Sequence, residues 1–170
     1  GPDLVVTNAH VVAGQGRATV VRPDGARLVG SPVVFDADRD IAVLRVPGLD
    51  LPALELTTGQ VGMHAAVFGH PDGQEALRVA PAAIRQRVTA VGRGLYDGTV
   101  VRRQVYVLAA RLAPGDSGAA VVDAEGRAVG IAFAVAPDRK TTAYALTTEE
   151  VMAALDAGQS TDVDTGPCLP

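Results

Sequence analysis

Short runs of apolar and β-branched residues alternate with turn-forming residues along most of this 170-residue chain. The turns are marked by Pro-Asp-Gly at 23–25 and 71–73, Asp-Gly at 97–98 and Asp-Ala-Glu-Gly at 123–126. Many short strands separated by such turns indicate an all-β sandwich or barrel. The predicted strands cover nine segments: 18–22, 27–35, 41–46, 65–68, 78–91, 100–110, 119–122, 128–136 and 142–146.

One segment near the C-terminus has the pattern of a helix. Thr147-Thr148-Glu149-Glu150 offers a capping box ahead of a short apolar stretch, and Gly158 is placed to end the helix. The following residues, 159–170, are polar and rich in turn formers. They either pack as an extended strap or are disordered.

Composition narrows the class of protein. The chain is 48% hydrophobic but only 4% aromatic, so its core must be built mainly of Val, Ala and Leu. Its length suits one ordinary domain or two very small ones. A net charge of −4 without a basic run argues against nucleic acid as a partner. No apolar run approaches the roughly 18–20 residues of a membrane span.

Three motifs carry candidate chemistry. Thr7-Asn8-Ala9-His10 closes a Val-rich run, Asp40 opens the apolar run 41–44, and Gly115-Asp116-Ser117-Gly118 follows the strand predicted at 100–110. The order His, Asp, Ser is one of those in which a catalytic triad occurs. A serine hydroxyl needs a base to take its proton, and the base needs an acid to hold its ring. The motifs therefore predict His10, Asp40 and Ser117 as catalytic residues.

Structural roles are the alternative to catalytic ones for the histidines, aspartates and serine of these motifs. His64 and His70 are interpreted as structural, and Ser117 could be merely a turn serine. Asp36 and Asp38 have the pattern of solvated loop charges. Asp40 directly precedes a buried run, so its carboxylate can be desolvated and aimed at a ring N–H.

The glycine before Asp116 favours an oxyanion hole, because it lets consecutive backbone N–H groups point at one spot. The predicted donors are Gly115, Asp116 and Ser117.

Together these motifs resemble the trypsin-like (chymotrypsin-fold) serine peptidases, specifically the HtrA-like branch with its T-N-x-H-V-V and D-x-A-V-L strings. Segments 67–71 and 126–131 also resemble that branch, so the likeness covers roughly residues 4–168. Within the branch, the chain resembles membrane-anchored periplasmic proteases of mycobacteria that serve acid resistance. Those proteins share the string VVTNAHVVAG and a cysteine near the C-terminus, here Cys168.

The resemblance implies a single trypsin-like peptidase domain over 1–170, with two six-stranded antiparallel β-barrels and a short C-terminal helix. The first barrel would cover 1–58, the second 59–146, the helix 147–158 and the tail 159–170. Only nine residues precede His10, so the first barrel is expected to be N-terminally incomplete. An unpaired edge beside His10 would leave that side chain displaced and this fragment weakly active.

The implied function is a serine endopeptidase that cleaves peptide bonds through an acyl-enzyme intermediate. It would need no cofactor or metal, act on protein or peptide substrates outside the cytoplasm, and be a monomer. Its parent would be anchored in the membrane through an N-terminal region. The alternative is a catalytically impaired fragment, or a peptide-binding module built on a protease fold.

The resemblance also implies a substrate site. Strand residues Phe133, Ala134 and Val135 would pair with an extended substrate, a form of β-augmentation. Ala143, Tyr144 and Ala145 would line the first specificity pocket. Arg111 would lie at the base of that pocket and favour acidic side chains, or would reach into solvent. A preference for small or apolar side chains is the main expectation.

Cys168 is the only cysteine, so the chain cannot form an internal disulfide. From the residues alone it is a free thiol in a frayed tail or half of a disulfide with a partner elsewhere. The resemblance implies the second reading, because relatives pair this position with a cysteine upstream of the protease core.

Overall fold

The computed structural model describes residues 3–71, 76–136, 138–161 and 163–169. Within them the chain forms ten strands and two helices. In chain order these are β1 Leu4–Thr7, α1 Ala9–Val12, β2 Ala18–Val21, β3 Arg27–Asp36, β4 Ile41–Arg45, β5 His64–Gly69, β6 Arg78–Arg93, β7 Val100–Ala110, β8 Ala120–Val122, β9 Ala128–Val135, β10 Thr142–Thr147 and α2 Thr148–Asp156.

All nine predicted strands are present, with ends that differ from the prediction by at most two residues. β1 and α1 were not predicted as elements, because four residues each are too few to establish a period. Residues 72 and 73 of one predicted turn lie outside the described residues.

The N-terminal half forms an antiparallel sheet of four strands in the order β1-β4-β3-β2. Val6 of β1 lies opposite Val43 of β4, and the register of β3 against β4 shifts between Pro32 and Val34. β1 and β2 are the edges of this sheet, since each pairs with only one neighbour. The sheet is therefore an open half-barrel.

The C-terminal half is a closed six-stranded barrel in the order β10-β7-β6-β5-β8-β9. Its interior holds the fully buried side chains of Ile84, Tyr106, Leu108 and Val121. The Tyr106 hydroxyl donates to the carbonyl oxygen of Gly59 (3.1 Å) and accepts from its N–H (2.9 Å). One half-barrel, one closed barrel and a terminal helix confirm the predicted all-β fold class with its incomplete first barrel.

Helix α2 closes the molecule and packs between its two halves. Thr147 occupies the N-cap position but makes no side-chain capping hydrogen bond, so the predicted capping box is wrong. The reason is tertiary: Glu150 accepts a hydrogen bond from Gln104 N (2.7 Å) and pairs with Arg39 (3.1 Å). Gly158, with φ of 100°, follows the helix as predicted. Among the described residues, no helix has the length and apolar character to cross a membrane.

The C-terminal tail packs as a strap across the loop that follows α1. The Thr165 carbonyl accepts hydrogen bonds from Gly14 N (3.1 Å) and from the Tyr96 hydroxyl, and its own hydroxyl donates to Gln15 O (3.2 Å). Cys168 is exposed, with its sulfur 4.0 Å from the Gly14 carbonyl. The tail thus links α1 to the tip of the β6–β7 hairpin.

Candidate active site

The side chains of His10 and Asp40 are in direct hydrogen-bond contact in the candidate site. His10 Nδ1 lies 2.8 Å from Asp40 Oδ2 and 3.1 Å from Oδ1, and Oδ1 also accepts from the His10 backbone N–H (2.9 Å). Asp40 is only 5% exposed. The carboxylate therefore holds both the ring and the backbone of His10. We expected an unpaired strand edge to leave His10 displaced, and the structure instead shows it bonded to Asp40.

The backbone of Asp40 explains how its carboxylate reaches His10. Asp40 ends the turn between β3 and β4 with φ of 58°, in the left-handed region that costs an L residue roughly 1–2 kcal/mol. The next residues, Ile41 and Ala42, are fully buried, which shields the carboxylate from water as predicted.

The neighbouring aspartates have other contacts. The prediction that Asp36 is a solvated loop charge is wrong. Its carboxylate accepts a hydrogen bond from Arg39 N and pairs with the Arg39 guanidinium, both at 2.8 Å. Asp38 is exposed, and its carbonyl accepts from Arg103 Nε (2.6 Å).

Ser117 lies in the loop between β7 and β8, which two glycines shape. Gly115 and Gly118 have φ of 94° and 83°, values that glycine adopts without steric cost. A side chain at Gly118 would also collide with the Thr7 hydroxyl. The absence of a Cβ at Gly118 therefore lets the serine loop sit directly against the end of β1.

Two backbone N–H groups of the serine loop are available to an oxyanion. In the described part of the chain, neither Gly115 N nor Ser117 N donates to a protein acceptor. Asp116 differs from the prediction, because its N–H donates to Ala113 O (3.1 Å) within the turn. Its buried carboxylate accepts from Ala113 N (2.9 Å) and lies 3.9 Å from Arg78 Nη2. Asp116 thus stabilises the serine loop through hydrogen bonds within its own turn.

Asn8 connects the histidine and serine segments. Its side chain, which is fully buried, donates to Asp40 O (3.0 Å) and accepts from Gly118 N (2.7 Å). No hydrogen bond joins the Ser117 hydroxyl directly to His10 among the described residues. Asn8 was not predicted as a functional residue, because in the sequence it stands out only as part of the Thr7–His10 motif. The available signal was that Asn8 is the only asparagine in the chain.

A pocket of about 230 Å³ opens beside Ser117. Its walls are mainly aliphatic, prolyl and aromatic side chains at the end of β9 and in the serine loop. They come from Leu112, Ala113, Pro114, Asp116, Ser117, Ala132, Phe133, Ala134 and Val135. The predicted substrate strand, Phe133 to Val135, thus forms one wall.

The other residues predicted for the pocket lie elsewhere. Arg111 is exposed and lines a separate groove with Arg78 and Pro81, because the chain leaves the barrel wall after Ala110. It is not at the base of the pocket beside Ser117.

Side chains alternate between the two faces of β10, and this alternation determines whether residues 143–145 can line the pocket. Ala143 and Ala145 face the barrel interior and are fully buried, so they cannot line the pocket. Tyr144 points to the opposite face, where its ring centre lies 6.4 Å from that of Phe133. It supports the pocket wall from behind without lining the pocket.

Known proteins with similar sequences and structures agree with this geometry. The family model of the trypsin-like peptidase domain matches residues 1–131, and the chain belongs to that family. Serine protease Rv3671c of Mycobacterium tuberculosis is 36% identical over 99% of this chain and 43% of its own length. A Halomonas elongata protein named “Probable periplasmic serine endoprotease DegP-like” is 31% identical over 75% of this chain and 26% of its own. The chain thus spans less than half the length of these curated relatives.

Solved structures give the same assignment. The crystal structure of the Rv3671c protease in its active form superimposes with a TM-score of 0.93 at 36% identity, covering 100% of this chain and 76% of that one. The HtrA-type protease AlgW with a decapeptide superimposes with a TM-score of 0.78 at 26% identity, covering 92% and 48%. The predicted membership of the HtrA-like branch is confirmed.

Proposed function

We propose that this chain is the catalytic domain of a serine endopeptidase, with Ser117 as nucleophile, His10 as general base and Asp40 as the acid that orients His10. The observation that carries the proposal is the 2.8 Å contact between His10 Nδ1 and the buried Asp40 carboxylate. A histidine whose Nδ1–H donates to a carboxylate presents Nε2 as a proton acceptor. Such a ring is prepared to act as a base.

The reaction follows from these roles. Ser117 Oγ attacks the carbonyl carbon of the scissile peptide bond while its proton passes to His10 Nε2. The N–H groups of Gly115 and Ser117 stabilise the oxyanion that forms. The intermediate then expels the amine, which takes the proton from His10, and leaves an acyl-enzyme. Water, deprotonated by His10, hydrolyses that ester, and the proton then passes from His10 to the released Ser117 Oγ. Ser117 and His10 are not hydrogen-bonded in this structure, and their hydrogen bond forms when substrate is bound, since such bonds are often long or poorly aligned without substrate.

The substrate is proposed to be an extended protein or peptide segment that lies along residues 133–135. The mainly aliphatic and aromatic lining and the modest volume of the pocket beside Ser117 favour a small or apolar side chain. A preference for acidic side chains loses its basis, since Arg111 lies outside this pocket.

The setting of the enzyme is also a proposal. An extracytoplasmic location agrees with the relative named as periplasmic. Membrane anchoring of a longer parent, a monomeric state and a disulfide from Cys168 to an upstream cysteine rest on the resemblance to mycobacterial relatives.

The deciding experiment treats the protein with a fluorophosphonate and locates the adduct by mass spectrometry, alongside casein hydrolysis. We expect one adduct, on Ser117. Ser117→Ala should lower turnover by several orders of magnitude, roughly 10⁶-fold where background allows, with an unchanged circular dichroism spectrum. Ser31→Ala, an exposed serine on β3, is the control. Ordinary hydrolysis by Ser117→Ala would refute the proposal.

A further inference from the structure

Asn8 is a buried polar residue whose two side-chain hydrogen bonds both go to backbone groups of the candidate site. It is fully buried and has two long-range partners, Asp40 O at 3.0 Å and Gly118 N at 2.7 Å. Buried amides are retained only when both ends are bonded, because an unpaired end loses its hydration without compensation. One side chain therefore links residues 32 and 110 positions away.

The position of Asn8 in its own element makes this use of the amide notable. Asn8 is the N-cap residue of α1, with φ of −80° and ψ of 148°, where an asparagine side chain ordinarily bonds the helix's first N–H groups. It makes no such bond here. Asp40 Oδ1 accepts from His10 N instead, at 2.9 Å. The triad acid thus caps α1, which leaves the amide of Asn8 to bridge.

Both ends of the bridge bear on groups that set the triad. The carbonyl that Asn8 holds belongs to Asp40, whose φ of 58° is strained and whose carboxylate grips His10. The N–H at the other end belongs to Gly118, next to Ser117, and is shared with Ala132 O at 2.9 Å. Movement of either end changes the distance between the base and the nucleophile.

We propose that Asn8 is a positioning residue that fixes the His10–Asp40 pair relative to Ser117 and touches neither substrate nor reacting atoms. This role rests on the proposed function. It requires a donor at one end of the side chain and an acceptor at the other. Aspartate would keep the acceptor for Gly118 but lose the donor to Asp40, and alanine would lose both.

The kinetic test compares Asn8→Ala and Asn8→Asp with Tyr106→Phe. The control removes another fully buried bridging group, whose partner is Gly59 and no member of the triad. At a temperature where circular dichroism shows each variant folded, we expect both Asn8 variants to lower kcat and the fluorophosphonate labelling rate about 100-fold, with KM nearly unchanged. Tyr106→Phe should lose stability but keep the labelling rate.

A double-mutant cycle separates positioning from a general loss of packing. If Asn8 acts through the His10–Asp40 pair, Asn8→Ala should lower the rate much less in an Asp40→Asn background than in the wild type. Equal losses in both backgrounds would overturn the positioning role.

A second readout does not depend on turnover. In Ser117→Ala protein, the proton on His10 Nδ1 should give a low-field NMR signal from its bond to Asp40, and Asn8→Ala should shift or broaden it. If no form of the protein labels at Ser117, the proposed function fails, and this signal still decides the role of Asn8. Folded Asn8→Ala with an unchanged signal overturns the inference even if Ser117 proves catalytic.

Discussion

The two halves of the molecule contribute different parts of the site and are stabilised differently. The open sheet of β1-β4-β3-β2 carries His10 and Asp40, while the closed barrel carries Ser117 and the pocket. Every barrel strand has two paired neighbours, whereas β1 and β2 each have one. The proposed acid and base are therefore attached to the half with unpaired strand edges, and the proposed nucleophile to the half in which every strand is paired on both sides.

The cores repeat this contrast. The barrel encloses a cluster of its own, with Ile84, Tyr106 and Leu108 at its centre. One face of the sheet instead packs on the other half: Ile41 and Val43 share a cluster with barrel residues and with Val151 of α2. The opposite face holds a smaller cluster of its own around Leu44 and Val46. The geometry of the proposed acid–base pair thus depends on how the sheet docks against the barrel. Asn8 lies at this interface, since it bonds Asp40 of the sheet and Gly118 of the barrel's serine loop.

The largest expected effect comes from breaking the contribution of the sheet to the chemistry while leaving the barrel intact. Asp40→Asn should lower kcat about 10⁴-fold, because the amide no longer holds His10 in the tautomer that accepts a proton. Steady-state kinetics and circular dichroism would measure turnover and fold. Asp38→Asn, at an exposed position two residues earlier, should stay close to wild type. Comparable losses in both variants would contradict the assignment of Asp40.

A stability comparison tests whether the two cores differ. Leu108→Ala, in the barrel interior, should lower the free energy of unfolding by about 4 kcal/mol, since its site is enclosed on all sides. Leu44→Ala, in the small cluster of Val12, Val46 and Leu49, should cost about 2–3 kcal/mol. Urea denaturation measures both values, and hydrogen exchange shows where each variant opens.

If the sheet depends on the barrel, Leu108→Ala should raise exchange in both halves, and Leu44→Ala mainly in β1 to β4. Equal protection loss throughout the chain in both variants would show that the two halves unfold as one unit.

The smallest effect concerns an ion pair at the β8–β9 turn. Burial, the largest influence, would raise the pKa of Asp123, but hydrogen bonds from Arg127 and Glu125 and the Arg127 charge outweigh it and lower the pKa. With a lowered folded pKa, the carboxylate stabilises the fold above its unfolded pKa of about 4, and this contribution is lost as the pH falls through the folded value.

Asp123→Asn should therefore be less stable than wild type at pH 7, with a gap in melting temperature that narrows below about pH 4. Glu125→Gln, with a more exposed side chain in the same turn, should change stability less. A gap that is constant from pH 7 to the acid limit would exclude this ionic contribution.

The strands, the end of α2 and the candidate catalytic residues could be predicted from local sequence patterns. Alternation and turn residues located nine strands, since a half-buried strand repeats every two residues. The motifs singled out His10, Asp40 and Ser117 because the chemistry demands those residue types in short, recognisable contexts. Gly158 correctly marked the end of α2, because a glycine at positive φ terminates a helix through backbone geometry alone.

The tertiary structure decided which groups those residues meet. Glu150 bonds Gln104 and Arg39 instead of capping α2. Arg111 lies outside the pocket, and the Asp116 N–H donates within its own turn. Asn8 found partners 32 and 110 residues away. Sequence periodicity encodes which face of an element is buried, but hydrogen-bond partners far apart in the chain depend on how the finished sheet and barrel dock.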